Sequence, residues 1–212
     1  MDPGPSEPRD VARWRKAERE RLIAARMALA VEVRAVATAA IADDLDRLIS
    51  TAADVIVSVY WPIRAEPDLR EWMRARWHRG TRIALPVARA LRQPLEFREW
   101  RPDAPLARGL WQIPFPADGA QLVPTVVIAP LVGFDAGCYR LGYGGGFFDR
   151  TLAALRTRRV AIGLGYPMAA IPTIFPQPHD VPMDLIITGS GPPLRRAMAG
   201  EASSRPWAGR SG

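Results

Sequence analysis

Cysteine and lysine each occur once in this 212-residue chain, as Cys138 and Lys16. A lone cysteine excludes an internal disulfide, and the two histidines, His78 and His179, form no Cys/His pattern of a zinc site. No apolar run approaches the ~20 residues that span a bilayer as a helix. The opening MDPGPSEPRD has no apolar core of a secretory signal. A reducing cytoplasm is therefore the expected compartment, with no membrane partner. There is no G-x-S-x-G turn and no evident catalytic triad.

Lysine and arginine outnumber aspartate and glutamate by 29 to 22, giving a net charge of +7. The arginines are scattered and often stand beside acids, as in Arg19-Glu20-Arg21, and no run of five basic residues occurs. Such a surface favours small anionic substrates over specific nucleic-acid binding. Arginine supplies almost all of the positive charge, so Lys16 marks where lysine chemistry is to be sought. A hydrophobic content of 48% over this length builds one domain with a substantial core. A monomer is expected.

Residues 1–10 carry three prolines and no periodicity, and read as a disordered lead. The single domain is expected over residues 11–188, followed by a loose Gly/Pro/Ser/Arg-rich tail at 189–212. Helical spacing runs from residue 11 to about 33 and again over 35–49. Strands are expected at 54–61, 82–88, 95–100 (an edge), 126–130 and 159–164, with a helix at 69–78 and a loop over 101–124. Alternating strands and helices indicate an α/β fold with a largely parallel sheet, whose ligands sit beyond the carboxyl ends of the strands.

The chain is organised around residues 126–150, VVIAPLVGFDAGCYRLGYGGGFFDR. A β-branched run ends at Pro130, then come Gly142, Gly144, Gly145 and Gly146, and a helical pattern starts near Phe147. Strand, glycine loop and helix start together aim backbone N–H groups at an anion. Arg140 and Asp149 flank that loop as a phosphate partner and a possible Mg²⁺ ligand.

That string resembles the signature of the 5-formyltetrahydrofolate cyclo-ligase (5,10-methenyltetrahydrofolate synthetase) family, approximately P-x-x-x-F-D-x-x-G-x-R-L-G-x-G-x-G-Y-Y-D. It is matched by Pro130, Phe134, Asp135, Arg140, Leu141, Gly142, Gly144, Gly146 and Asp149. Cys138 stands at the signature's glycine, and Phe147 and Phe148 replace its tyrosine pair, which removes two hydroxyls. The resemblance extends from about Trp14 to Thr188 through a W-x-I-P context at Trp111 and the string HDVPMDLIIT from His179.

The resemblance implies a three-layer α/β sheet of the ribose-phosphate isomerase and CoA-transferase type. It further implies ATP- and Mg²⁺-dependent cyclisation of 5-formyltetrahydrofolate to 5,10-methenyltetrahydrofolate, with ADP and phosphate released. By the same resemblance the first helix's K-x-x-x-R is met by Arg15 or Lys16 with Arg19, and a further arginine by Arg26. Arg15, Lys16 and Arg19 would bind ATP with Arg140, Leu141, Gly142, Tyr143, Gly144, Gly145, Gly146, Phe147 and Phe148, Arg140 and Asp149 being catalytic. Tyr60, Glu66, Trp111 and Phe148 would bind the folate, and Asp149 with Asp184 would hold Mg²⁺.

Several of these residues have a plainer reading. Glu66 suits a helix-start carboxylate, Trp111 a core plug, and His179 with Asp180 a hydrogen-bonded loop organiser. Two rival functions stay open: a cyclo-ligase-like paralogue that binds nucleotide or folate without this turnover, and a basic nucleic-acid accessory protein.

Overall fold

The computed structural model describes residues 8–52, 54–155 and 159–197. In chain order the elements are α1 (Pro8–Met27), α2 (Val31–Leu48), β1 (Ile56–Ser58), α3 (Arg70–His78), β2 (Arg82–Val87), β3 (Glu96–Trp100), β4 (Leu106–Arg108), β5 (Pro114–Pro116), β6 (Val126–Pro130), β7 (Gly133–Phe134), β8 (Arg140–Leu141), α4 (Phe147–Ala154), β9 (Val160–Leu164), β10 (Leu185–Ile187) and β11 (Leu194–Arg195). Seven strands form one sheet in the order β11-β10-β9-β6-β1-β2-β3. Its five central strands run parallel, while β3 and β11 close the edges antiparallel.

Alternation along β6 shows why the sheet is covered on both faces. Val126 and Ile128 join a core with Ile41 and Leu45 of α2 and with Trp72 and Met73 of α3. Val127 and Ala129 point the other way, into a core with Leu152 of α4, Phe134 and Met183. Successive strand side chains face opposite sides, so a strand apolar at every position must be buried twice. Each fully buried Val, Leu or Ile contributes about 1.5–3 kcal/mol. The result is the expected three-layer α/β fold. A third cluster, in which Leu22 of α1 packs on Val132, Leu141, Ile171 and Ile174, lays α1 across the segment that follows β6.

Strand order reverses between β1 and β6. From β1 the chain moves outward to β2 and β3, then returns to β6 on β1's other side and moves out through β9 and β10. A crevice opens at such a switch point, beyond the carboxyl ends of the two strands, where ligands of open α/β sheets bind.

Five sequence expectations are corrected. The helical pattern over 11–33 is broken at Ala28-Leu29-Ala30, although none of these residues is a helix breaker. Helix α1 also starts at Pro8, inside the expected lead, where proline's missing N–H costs nothing. The strand expected at 54–61 pairs over three residues, because the chain turns away at Trp61-Pro62. Within the expected loop 101–124, β4 and β5 form a hairpin, and within the expected tail β11 pairs with β10. Residues 1–7 of the lead and 198–212 of the tail lie outside the described residues.

Candidate active site

Residues 131–146, which follow β6, fold over the switch point as the β7–β8 hairpin and then the glycine loop. Gly144 (φ 92°) and Gly146 (φ 62°) take left-handed conformations, and Gly146 is the N-cap of α4. Glycine adopts these angles without the steric cost a Cβ brings. The backbone N–H groups of Tyr143, Gly144, Gly145 and Gly146 donate to no acceptor among the described residues. The N–H groups of α4's first turn follow them, and the helix dipole adds positive potential there. Leu141 is core; its role in the loop is confined to its backbone.

Two arginine side chains border this loop. Arg19 Nε donates to Gly142 O at 2.7 Å, and its guanidinium lies against Gly144, where an added Cβ would stand 3.4 Å from Cζ. Arg150 donates to Gly145 O and covers the Phe147 ring, 5.4 Å from its centroid. Lys16, three residues before Arg19, is exposed and has no ion-pair partner among the described residues. Burial, then repulsion from Arg15, lowers the pKa of Arg19, the signature of a cation short of counter-charge.

Two arginines expected on phosphate are engaged elsewhere. Arg15 is buried, with Nε on Ile174 O (2.9 Å), Nη2 on Phe175 O (2.8 Å) and an ion pair to Asp180 at 2.5 Å. Arg140, also buried, donates to Val181 O (3.0 Å) and pairs with Asp149 Oδ1 (3.0 Å). Together they clamp residues 174–183 beneath the loop, Arg140 from the glycine-loop side and Arg15 from α1. With Arg15 so held, Lys16 is the exposed cation of the pair. The loop organiser is Asp180, whereas His179 is exposed at its edge.

Across the crevice, Glu66 follows a turn in which Arg64 (φ 48°) and Ala65 (φ 58°) both take left-handed angles. Such strain persists only where surrounding contacts impose it, and Arg26 Nε supplies one by donating to Arg64 O at 2.9 Å. Glu66 is 5% exposed and accepts from Ile63 N (2.9 Å) and the Tyr143 hydroxyl (2.8 Å). Arg26 donates to that same hydroxyl at 2.5 Å. Burial raises the pKa of Glu66; the Ile63 hydrogen bond, Arg26 and Tyr143 pull it back. Since α3 starts at Arg70, Glu66 is not a helix-start carboxylate. Tyr60 is corrected to a core residue, with its hydroxyl donating to Pro67 O at 2.9 Å.

Beside Glu66, an open cleft of about 450 Å³ lies between Trp61-Pro62-Ile63 and the β4–β5 hairpin. Gln112 lines this cleft, and the preceding Trp111, on a turn with φ 55°, is 62% exposed, so it is no core plug. Its ring meets Phe147 edge-on, with centroids 5.4 Å apart. Phe148 instead packs into the core, with Arg140 Cζ 5.8 Å from its ring centroid.

The metal expectation needs a narrower form. Asp184 accepts from Ala161 N (2.8 Å) and pairs with Arg196 (3.3 Å), at the amino ends of β9 and β10. It shares no partner with Asp149, and no group of three or more His, Cys, Asp or Glu side chains suited to a metal occurs among the described residues. Asp149 alone fits: Oδ1 holds Arg140 and the Val181 N–H, while Oδ2 has no hydrogen-bond partner among the described residues and the side chain is 19% exposed. One carboxylate completed by phosphate oxygens and water is a usual arrangement for Mg²⁺.

Comparison with known proteins agrees with this geometry. The family model described as the 5-formyltetrahydrofolate cyclo-ligase family matches residues 11–189. The chain belongs to this family. A curated 5-formyltetrahydrofolate cyclo-ligase of Mycolicibacterium smegmatis is 31% identical over 140 residues, covering 62% of this chain and 72% of that one. The Haemophilus influenzae cyclo-ligase is 28% identical over 143 residues, covering 63% and 75%. Among solved structures, the 5,10-methenyltetrahydrofolate synthetase of Aquifex aeolicus superposes with a TM-score of 0.75 at 23% identity, over 90% of this chain and 96% of that one. That likeness establishes the shared fold.

As a cyclo-ligase family member, the chain departs from the signature at Cys138, and the backbone explains the family's glycine. Cys138 has φ 61°, a left-handed angle that costs a side-chain-bearing residue roughly 1–2 kcal/mol. Asp135 imposes it: Oδ1 accepts from Gly137 N (3.0 Å) and Tyr139 N (3.2 Å), and Oδ2 accepts from Ile174 N (3.0 Å). Neither Asp135 as organiser nor Tyr143 as the partner of Glu66 was legible beforehand. Aspartate two residues before a glycine was the signal available for the first; the second had none.

Proposed function

We propose that the protein converts 5-formyltetrahydrofolate and ATP to 5,10-methenyltetrahydrofolate, ADP and phosphate. The observation that carries this reading is the juxtaposition, at the β1/β6 switch point, of an anion-binding glycine loop and the buried carboxylate Glu66, joined through Tyr143. A triphosphate fits the loop's free N–H groups, with Lys16 and Arg19 beside it. A pterin suits Glu66, because a carboxylate accepts two N–H groups side by side, and the exposed Trp111 offers a ring face for stacking. Membership of the family supports both assignments.

The formyl oxygen is a poor leaving group. It attacks the γ-phosphorus, the bond from phosphorus to the ADP oxygen breaks, and the formyl carbon becomes part of an imidate-like phosphate ester. N10 adds to that carbon and loses its proton to solvent, after which the carbon–oxygen bond breaks and phosphate leaves with the electron pair. Such transfer needs alignment and charge neutralisation more than a protein nucleophile. The loop N–H groups, Lys16 and Arg19 neutralise charge; Arg140 and Arg15 hold the loop's floor. When bound at Asp149, Mg²⁺ neutralises phosphate charge.

Incubation with ATP, Mg²⁺ and 5-formyltetrahydrofolate is expected to produce methenyl-folate absorbance together with ADP. Binding of both ligands without that absorbance would replace this reading with the non-catalytic paralogue.

A further inference from the structure

We infer that Tyr143 is a positioning residue that couples the two ligand sites: its hydroxyl, held between Arg26 and Glu66, makes the seating of the glycine loop and the orientation of the folate-side carboxylate depend on one another. This rests on the function proposed above. Tyr143 belongs to the loop through its backbone, whose N–H faces the phosphate site. Through its side chain it belongs to the other site, with the hydroxyl 2.8 Å from Glu66 Oε1. The ring lies between two guanidinium groups, Arg26 at 5.8 Å and Arg64 at 5.6 Å from its centroid. The residue is still 37% exposed, so the loop carries it rather than the core.

The sign follows from charge. Glu66 must be ionised to accept two pterin N–H groups, and burial opposes ionisation. The groups facing it are Arg26 from α1, Arg64 from its own turn, Tyr60 at the end of β1, Tyr166 after β9 and Tyr143 from the loop. Tyr143 is the member of that set whose position the phosphate site governs. A triphosphate on the loop N–H groups fixes the loop, keeps the hydroxyl on Glu66 and so prepares the carboxylate for the pterin. Nucleotide and folate then tighten each other by the same factor, as linkage requires.

The test titrates 5-formyltetrahydrofolate into the full chain with and without a non-hydrolysable ATP analogue and Mg²⁺. In wild type the analogue is expected to tighten the folate by about fivefold or more. In Tyr143→Phe, which keeps the ring between the two arginines, the tightening falls below about twofold while the analogue's own Kd in the absence of folate changes little. The acid limb of kcat/KM for the folate also moves to higher pH, because Glu66 loses a hydrogen bond that favours its ionised form; a merely structural tyrosine would not move it. Glu66→Gln removes that limb, and a limb that persists in it overturns the role given to Glu66. A Tyr143→Phe protein that retains full tightening overturns the inference, as does a wild type that turns over without any tightening. A wild type that binds neither ligand overturns the proposed function, and this inference with it.

Discussion

Arg15 and Asp180 lie 165 residues apart in the chain and meet at 2.5 Å, pinning α1 to the loop between β9 and β10. Their side chains are 10% and 9% exposed. Removing one partner of a buried pair leaves the other charge uncompensated and costs about 3 kcal/mol. Arg15→Ala is therefore expected to lower the melting temperature by several degrees, and the double variant with Asp180→Ala by less than the sum of the two. Burial alone would raise the pKa of Asp180, but the Arg15 guanidinium and the Gln177 N–H bring it below its ordinary value. A depressed carboxylate contributes stability above its unfolded pKa, roughly 4, and that stability is lost as pH falls through the folded pKa. Thermal melts from pH 6 to 2.5 should show this acid loss in wild type and a smaller one in Asp180→Ala.

Asp149→Asn is expected to act twice. Its Oδ1 is the counter-charge of Arg140, whose side chain is 3% exposed, so the variant should lose about 2 kcal/mol of stability in chemical unfolding. Its Oδ2 has no hydrogen-bond partner among the described residues and is the oxygen left to hold Mg²⁺ in the proposed reaction, so the Mg²⁺ titration of turnover should shift to much higher concentration in whatever protein remains folded. A normal Mg²⁺ titration would remove Asp149 from the metal site.

The sequence reading was strongest where a residue's role depends on its own neighbours. Strands β2, β6 and β9 followed from β-branched runs, and the glycine loop from glycines placed between a strand and a helix. It was weakest where the role depends on a partner distant in sequence. Arg15 and Arg19 are both arginines on one helix, four residues apart; one is a clamp and the other borders the glycine loop. That difference is made by Asp180 and the 174–183 segment, which no spacing within α1 encodes. Tyr60 likewise looks like a strand-end aromatic, and its burial depends on α3 and the turn at Pro67. The short β11 could not be read at all, because two paired residues carry no periodicity.

Cys138 is expected to be chemically silent. It is fully buried, and burial, with the Asp135 carboxylate nearby, pushes its thiol up to about 11. The thiolate is the reactive form, and it is scarce at neutral pH. A chromogenic thiol reagent should label less than a tenth of a mole per mole of native protein in an hour and the full equivalent after denaturation. Rapid native labelling would mean that the hairpin carrying Cys138 opens.

Trp111→Ala separates a ligand contact from a packing role. At 62% exposed the indole contributes little to the fold, and the melting temperature should move by less than a few degrees. Loss of one flat stacking partner is worth on the order of 1–3 kcal/mol, by analogy with aromatic stacking on bases. KM for the folate should rise about tenfold or more while KM for ATP stays nearly constant. Equal weakening of both substrates would shift the assignment to support of Phe147, which the Trp111 ring also touches.

Lys16→Arg should be damaging although it preserves charge. This chain fills every other basic lysine-or-arginine position with arginine, and the neighbouring Arg15 is held by Asp180, so Lys16 is the cation on that turn of α1 with no ion pair among the described residues. Lysine's compact ammonium meets a phosphate as a point charge, whereas a guanidinium is bulkier and needs a planar fork of acceptors. Arg19, three residues further along α1, already presents a guanidinium to Gly144. We expect kcat/KM for ATP to fall roughly tenfold, about 1.4 kcal/mol of transition-state stabilisation, with the melting temperature unchanged. Arg21→Lys is the control: Arg21 is exposed and pairs with Glu18 on the same helix, so its replacement should leave ATP kinetics at the wild-type value. Wild-type kinetics in Lys16→Arg would show that the site needs only a positive charge there, and would return the phosphate role to Arg19 and the loop N–H groups alone.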